Sequence, residues 1–204
     1  QQAKDLRRQW GEQRKVFIAA STHEGEDEQV LEAFRLIHCE RPDALLVLVP
    51  RHPERFDAVA LLLEKQGWHT ARFSRSQPVT AETSVVLGDV MGQLLKLLAA
   101  ADVAFIGGSL EPVGGHNMLE PLAVGTPAIT GPHVFNFAVV AELLTGLGVL
   151  TTVTTPLGLG QAVLALFNDE AERQRLAQGG REVINRNRGA LDRLLHHIHK
   201  LLQQ

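Results

Sequence analysis

Short aliphatic runs alternate with amphipathic stretches along most of this chain, and that alternation limits the possible folds more than any other feature. The runs are β-branched or aliphatic without strict polar alternation, which is typical of strands covered on both faces. The predicted strands are 16–20, 44–49, 84–87, 103–106, 128–130 and 149–153, with 69–74 as a candidate for one more, and the predicted helices between them are 26–40, 53–67, 91–101, 117–124 and 136–147. Strands and helices in alternation predict an α/β fold with a doubly wound parallel sheet.

After about residue 156 the aliphatic runs stop, and the sequence predicts only helices. These cover 161–167, 170–187 and 191–202, and Gly179-Gly180 is expected to break or kink the second of them. In the last helix, leucine and isoleucine recur at i, i+3 and i+4 spacing, which predicts an apolar face that packs on this sheet or on a neighbouring domain.

Length and composition narrow the class of protein further. A chain of 204 residues with 45% hydrophobic residues can bury a sizeable core and is not disordered. A net charge of −3 argues against nucleic acid as the main partner, and the single cysteine, Cys39, can form neither an internal disulfide nor a cysteine cluster. Without an apolar run of about 20 residues or a signal peptide at the polar start, the sequence predicts a soluble chain of a reducing, cytoplasmic compartment.

The chain is divided on these patterns into three parts. The polar segment 1–15 is interpreted as a linker, 16–190 as the main α/β domain, and 191–204 as a C-terminal helix.

Polar or glycine-bearing segments follow one predicted strand after another. They are residues 21–26, 50–53, 88–92, 107–109 and 131–133. In an open parallel sheet, ligands bind in the crevice beyond the carboxyl ends of the strands. The convergence of five such segments therefore predicts a ligand site at that edge of the sheet.

The segment Gly107–Pro121, GGSLEPVGGHNMLEP, has the strongest features of a binding site. Its glycines allow the backbone to approach a ligand closely, and Asn117 is a favourable N-cap for the next helix, whose first N–H groups attract anions. Glu120, one turn further on, can accept hydrogen bonds from a sugar diol. A phosphate joined to a ribose, as in a nucleotide, suits this set. The alternatives are that the glycines only form tight turns, that Asn117 only caps, and that Glu120 is solvated.

Arg51 is the candidate for a charged contact. It follows a predicted strand and precedes Pro53, so its guanidinium can hold a phosphate or carboxylate with two parallel hydrogen bonds. The alternative is a surface arginine paired with Glu54. Met91 is interpreted either as a core residue at a helix start or as a contact to a base.

Several common sites are not predicted. Four histidines follow predicted strands or glycines, but no HExxH or His-x-His spacing links them, and we expect no metal. The chain has no GxxxxGK[ST] sequence and no GxSxG sequence. Gly158-Leu159-Gly160 begins a dinucleotide fingerprint, but Val163 stands at the third glycine. A P-loop NTPase, an α/β-hydrolase and a NAD-dependent oxidoreductase are therefore disfavoured.

The ordered motifs resemble those of the Kdo (3-deoxy-D-manno-oct-2-ulosonic acid) transferases of lipopolysaccharide assembly. The resemblance runs from about residue 15 to the end and is similar to the C-terminal half of such an enzyme. The matching motifs are ASTHEGE at 20–26, PRHPER at 50–55, GDVMG at 88–92, GGSL at 107–110 and, most specific, GGHNMLEP at 114–121.

The resemblance implies a GT-B glycosyltransferase, in which two Rossmann-like domains face each other and the C-terminal one, here 16–190, holds the nucleotide sugar. The implied donor is CMP-Kdo, the implied acceptor is a lipid A precursor, and the implied transfer inverts the anomeric centre without a cofactor or bound metal. The implied donor-binding residues are Ser21, Gly25, Arg51, Gly88, Met91, Gly115, Asn117 and Glu120.

The roles that the resemblance implies differ among these residues. Arg51 and the helix start at Asn117 bind the CMP phosphate, the backbone around Gly88 and Met91 holds the cytosine, and Glu120 meets the ribose hydroxyls. The general base and the membrane-associating acceptor surface belong to an N-terminal domain. The isolated chain is thus expected to bind donor without transferring Kdo, and the full-length protein to work at the cytoplasmic face of the inner membrane.

Two other functions stay open at this point, and a third, a NAD-dependent oxidoreductase, is disfavoured by the incomplete fingerprint. Another GT-B enzyme, such as a UDP-sugar transferase or a nucleotide-sugar 2-epimerase, would prefer a uridine nucleotide. A non-catalytic nucleotide-binding domain would bind without any transfer. A NAD-dependent oxidoreductase would bind NAD.

Overall fold

The computed structural model of the chain describes residues 1–202, with side chains up to residue 186. Within this range one seven-stranded sheet carries α-helices on both faces, and every paired strand runs parallel to its neighbours. The strands are β1 (Val16–Thr22), β2 (Leu45–Pro50), β3 (Thr70–Arg72), β4 (Val85–Leu87), β5 (Val103–Ile106), β6 (Ala128–Thr130) and β7 (Leu150–Thr152). The predicted doubly wound α/β fold is confirmed, including β3, the candidate seventh strand.

The helices follow the strands in the predicted alternation. They are α1 (Gln2–Trp10), α2 (Glu26–Glu40), α3 (Phe56–Lys65), α4 (Leu94–Ala99), α5 (Leu119–Val124), α6 (Ala138–Gly146), α7 (Pro156–Asn168) and α8 (Glu170–Leu202). Among the described residues, none of these helices is both long and apolar enough to span a bilayer.

The absence of strict polar alternation in the strands has a direct structural cause. Alternate residues of β1 enter two separate apolar cores, with Phe17 and Ala19 on one face of the sheet and Val16, Ile18 and Ala20 on the other. All five are at most 1% exposed. Because both faces are covered, both sets of side chains must be apolar.

The strand order β3-β4-β2-β1-β5-β6-β7 determines where a ligand can bind. β1 pairs with β2 on one side and with β5 on the other, so that the direction of winding reverses between β1 and β5. The connections leave these two carboxyl ends in opposite directions and open a crevice between them. The segments after β1 and β5 border this crevice.

The interpretation of 1–15 as a linker is wrong for its first part. Residues Gln2–Trp10 form α1, whose Leu6 and Trp10 are only 5% and 4% exposed because they pack into the same core as Val16. Arg7 also donates a hydrogen bond to Asp102 at 3.1 Å. Two apolar residues at i, i+4 spacing thus face the sheet from a segment that is otherwise mainly polar.

The expected break at Gly179-Gly180 is also wrong, since α8 runs through both residues. A Cβ at residue 180 would lie 2.8 Å from Leu122 Cδ2, and one at residue 179 would lie 2.7 Å from Val149 Cγ1. The glycines therefore permit close packing of the helix rather than interrupting it. The boundary expected at 190/191 falls inside α8, while the apolar face expected over 191–202 lies outside the side chains described.

Candidate functional site at the switch point of the sheet

A cavity of about 370 Å³ opens at the carboxyl ends of β1 and β5. β1, β5 and α4 supply its apolar floor. Its polar wall comes from the end of β1, the residue after β2, the residues before α5 and the first turn of α5. The lining residues are Ala20, Ser21, Arg51, Leu94, Leu98, Ile106, His116, Asn117, Glu120 and Phe137. The size and the mixture of an apolar floor with a few polar groups are typical of small-molecule sites.

A larger cavity of about 660 Å³ lies elsewhere, between α1 and the connection from β3 to β4. Trp10, Phe73 and Lys96 are among its walls, but none of the segments that follow β1, β2 or β5 reaches it. We assign the candidate site to the smaller cavity because, of these two, only this one combines the polar side chains with the switch point of the sheet.

The end of β1 bulges toward this cavity. Ser21 has a φ of +60°, in the left-handed region that non-glycine residues seldom adopt, and the register between β1 and β2 shifts there. The bulge brings Ser21 to the cavity wall. Across the crevice, a Cβ at Gly107 would lie 2.6 Å from the Ser21 carbonyl oxygen. The two strand ends thus approach too closely for any side chain at residue 107.

A buried carboxylate fixes the turn that follows β5. Glu26, at 0% exposure, accepts hydrogen bonds from the backbone N–H groups of Gly108 (2.6 Å), Ser109 (2.8 Å) and Leu110 (2.9 Å). It also accepts one from the N–H of His23 at 3.0 Å. Four donors on one carboxylate satisfy a buried charge and lock the loops after β1 and β5 together.

A second buried carboxylate braces the same region from the side of β2. Asp27 accepts a hydrogen bond from the Thr22 hydroxyl at 2.6 Å and pairs with the Arg55 guanidinium. Arg55 also donates to the Thr22 carbonyl at 2.9 Å. Burial raises the pKa of Asp27, and the contacts with Thr22 and Arg55 oppose that rise. This ion pair ties the start of α2 to the segment that carries Arg51.

The glycine-rich loop folds back on itself before α5. The Gly108 carbonyl accepts the N–H groups of both Gly114 (3.0 Å) and Gly115 (2.6 Å). Gly115 has a φ of +78°, and a Cβ there would lie 3.3 Å from Val134 Cα. A side chain at residue 115 would therefore strain the backbone. The next two residues, His116 and Asn117, lie on the cavity wall.

The start of α5 differs from the prediction by one residue. Met118 is the N-cap, and Asn117 lies before it, with its side-chain oxygen accepting the N–H of Leu119 at 3.1 Å. Asn117 also donates to Glu120 Oε1 at 3.2 Å. Because α5 has only 6 residues and its first N–H is already bonded, the helix start offers less to an anion than the sequence predicts.

Arg51 carries an unpaired charge at the rim of the cavity. Its backbone N–H donates to the Thr22 carbonyl at 3.0 Å, which fixes the start of the side chain. The guanidinium forms no hydrogen bond or ion pair with any side chain that the structure describes. The alternative pairing with Glu54 is not observed, since the carboxylate of Glu54 lies 3.9 Å from His52 instead. Arg51 is thus free to bind an anion.

The other predicted site residues surround the cavity rather than line it. Gly88 is buried, and a Cβ there would lie 2.7 Å from Val49 Cγ2, so that it allows β2 and α4 to pack closely. Met91 precedes α4 and is 60% exposed. Gly25 is the N-cap of α2, with a φ of +85°. The structure thus brings Ser21, Arg51, Asn117 and Glu120 together in the cavity. The other four predicted residues are not among its lining residues: Gly25, Gly88, Met91 and Gly115.

His23 and His116 lie against each other near Arg51. The sequence did not predict this contact. Their Nε2 atoms are 2.7 Å apart and the rings of His23 and His116 are stacked, with centroids 4.9 Å apart, while His52 approaches His23 edge-on. Burial, with the nearby His23 and Arg51, lowers the pKa of His116 to about 4. Among the described residues there is no group of three or more His, Cys, Asp or Glu arranged to hold a metal ion.

The sequence profile of the family described as Glycosyl transferases group 1 matches residues 4–183. The chain is 46% identical over 200 residues to a 3-deoxy-D-manno-octulosonic acid transferase of Haemophilus influenzae, covering 98% of this chain and 47% of the relative. It is 38% identical over 186 residues to the transferase of the same name from Bordetella pertussis, covering 89% and 44%. The chain thus spans about half the length of these relatives.

One solved structure is similar over nearly its whole length. It is the crystal structure of the C-terminal CMP-Kdo binding domain of WaaA from Acinetobacter baumannii, at a TM-score of 0.86 and 35% sequence identity. The alignment covers 90% of this chain and 96% of that one. The fold of this chain therefore corresponds to the fold of that C-terminal domain.

Proposed function

The chain belongs to the group 1 glycosyl transferases and, among them, to the Kdo transferases, and from this premise we propose that the cavity at the switch point binds the nucleotide sugar CMP-Kdo. The similar domain of WaaA from Acinetobacter baumannii is described as a CMP-Kdo binding domain, and its alignment covers 90% of this chain. The full-length protein would then use the bound donor to transfer Kdo.

The observation that carries the proposal is the unpaired guanidinium of Arg51 at the rim of a polar cavity. The backbone of Arg51 is fixed by its hydrogen bond to Thr22, while the guanidinium has no partner among the described side chains. Such a guanidinium can bind a phosphate with two parallel hydrogen bonds. We assign the phosphate of CMP to Arg51. In the transfer, the bond from the Kdo anomeric carbon to a phosphate oxygen breaks and the electron pair stays on CMP. Arg51 stabilises the charge that develops there.

The ribose is assigned to Glu120 and Asn117. Glu120 Oε1 is already bonded to Asn117 Nδ2, which orients the carboxylate and leaves Oε2 for a hydroxyl group. A carboxylate accepts hydrogen bonds from two neighbouring hydroxyls of a ribose, as known nucleotide sites use it. Both side chains lie on the cavity wall with Arg51, so that one nucleotide can contact all three.

The cytosine is assigned to the rim near Gly88 and Met91. Met91 offers an exposed, polarizable side chain that can cover the face of a base, and Gly88 keeps the backbone at the end of β4 close to α4. Ser21, Gly25 and Gly115 shape the opposite rim with their backbone conformations.

The complete reaction is proposed for the full-length protein. An acceptor hydroxyl of a lipid A precursor attacks the anomeric carbon with inversion, and a carboxylate outside these 204 residues removes its proton. No residue of this chain is assigned as the general base, and no metal is assigned to the leaving group. We propose that the reaction takes place at the cytoplasmic face of the inner membrane, where a lipid acceptor is reached.

A comparison of nucleotides tests the proposal. Calorimetric titration of the chain is expected to show that CMP binds about tenfold or more tightly than UMP or UDP, because one base-edge hydrogen bond is worth about 1–2 kcal/mol. Cytosine offers an amino donor where uracil offers a carbonyl acceptor, so a site that pairs with the donor rejects uridine.

The outcome also separates the remaining candidates. A clear preference for UDP would contradict the Kdo assignment and favour a UDP-sugar transferase or a nucleotide-sugar 2-epimerase. CMP binding to the chain, with no Kdo transfer by the full-length protein, would favour a non-catalytic nucleotide-binding domain. Binding of NAD alone would favour the oxidoreductase.

A further inference from the structure

His23 and His116 form a hydrogen-bonded pair. None of the nucleotide contacts proposed above involves either histidine. Their Nε2 atoms are 2.7 Å apart. When both rings are neutral, one of these two nitrogens carries a proton and donates it to the other. His116 lines the cavity with Arg51. The pair is therefore a proton-holding group within reach of whatever anion the cavity binds.

The orientation of His116 leaves its second nitrogen available. A Cβ built on Gly108 would lie 3.0 Å from His116 Cδ2 and 3.1 Å from Nε2, so that this edge of the ring is turned to the glycine loop and to His23. Nδ1 lies on the opposite edge and has no hydrogen-bond partner among the side chains and backbone groups described. A proton on Nδ1 would give the ring a second donor.

Burial is the largest cause that lowers the pKa of both histidines, and the Arg51 guanidinium acts on both in the same direction, as Arg55 does on His23. The ring of His52 approaches His23 edge-on and adds to this effect only when it is protonated. Glu26 is the one acidic group acting on both histidines, and its carboxylate is already bonded to four N–H groups.

We propose that His116, held by its hydrogen bond to His23, is a phosphate ligand of the site and that nucleotide binding draws one proton from solvent onto the pair. The inference rests on the proposed function, since the phosphate is the group that neutralises Arg51. In the tautomer that the proposal assigns, His116 carries its proton on Nε2 and donates it to His23 Nε2. The incoming proton adds to His116 Nδ1, which then donates to a phosphate oxygen. The pair and its ligand together gain one positive charge, and the buffer loses one proton.

The test uses the methyl ester of CMP, a phosphodiester whose single charge does not change over the pH range, so that any proton uptake belongs to the protein. Calorimetric titrations at about pH 6 in two non-phosphate buffers of different ionisation enthalpy are expected to show uptake of about 0.5 to 1 proton per ligand bound. The affinity is expected to rise about tenfold between about pH 7.5 and pH 5.5.

Two substitutions identify the group that takes the proton. His116→Gln keeps a hydrogen-bonding side chain but cannot be charged, and it is expected to abolish the uptake and flatten the pH profile. His69→Gln, at an exposed histidine outside the cavity, should change neither. Nuclear magnetic resonance of the 15N-histidine-labelled chain follows the same proton without a substitution, and the pKa of His116 should rise when ligand binds.

The proposal that the cavity binds CMP and the proposal that His116 takes up a proton on binding fail in different experiments. Binding with no proton uptake, or uptake that persists in His116→Gln, overturns the inference and leaves CMP binding intact. No binding of CMP or its methyl ester at any pH overturns the proposed function and the inference with it.

Discussion

Replacing Glu26 by alanine is expected to lower the free energy of unfolding by about 4 kcal/mol or more, because hydrogen bonds to a charged group each contribute about 1.5–3 kcal/mol and four depend on this carboxylate. Alanine leaves the N–H groups of Gly108, Ser109 and Leu110 without an acceptor in a buried turn. Glu26→Gln should cost less, since one side-chain oxygen can still accept hydrogen bonds. Urea unfolding measures both.

Glu28 provides the matched control. It lies in the same first turn of α2, so that its carboxylate has the same favourable position relative to the helix dipole, but its side chain is exposed. Glu28→Ala is expected to change the free energy of unfolding by at most about 0.5 kcal/mol. Equal losses in the two alanine variants would show that the carboxylate of Glu26 does not support the loops.

Replacing Arg51 by alanine is expected to weaken CMP binding about 30-fold, which corresponds to about 2 kcal/mol, the usual contribution of a charge-assisted hydrogen bond. The free energy of unfolding should change by less than about 0.5 kcal/mol, because the guanidinium is exposed and has no partner among the described side chains. Arg51→Lys should restore only part of the affinity, since an ammonium group cannot form the two parallel bonds.

A second arginine separates a specific contact from a general effect of charge. Arg75 is exposed and does not line the cavity, so Arg75→Ala removes the same charge from the chain without touching the phosphate. CMP affinity should be unchanged in this variant. Equal weakening in both variants would mean that Arg51 acts only through net charge, and an unchanged affinity in Arg51→Ala would remove it from the site.

Most of the fold could be predicted because local patterns encode it. Val103–Ile106 and Ala128–Thr130 were predicted as strands with the observed bounds, since uninterrupted aliphatic residues between polar segments have few other uses in a chain of this composition. The predictions failed where contacts between distant residues, rather than the local sequence pattern, determine the structure. Leu6 and Trp10 dock a segment that is polar on average, and Gly179-Gly180 stays helical because Leu122 and Val149 pack against it.

The candidate site divides in the same way. Ser21, Arg51, Asn117 and Glu120 could be found because each lies in a short motif at the end of a strand or the start of a helix. The bracing by Glu26 joins residues 82 to 84 positions apart, and the His23–His116 contact joins residues 93 apart. No spacing in a single sequence indicates such pairs. Because the partners are so far apart in the sequence, neither the bracing by Glu26 nor the contact between His23 and His116 was predicted, although all three residues lie in the motifs at 20–26 and 114–121.

A crystal structure of the chain soaked with CMP would show where the nucleotide binds. We expect the phosphate within hydrogen-bonding distance of the Arg51 guanidinium and a ribose hydroxyl at the free oxygen of Glu120, in the crevice between β1 and β5. Density for CMP in the larger cavity beside Trp10 and Lys96, or at the amino ends of the strands, would contradict the account.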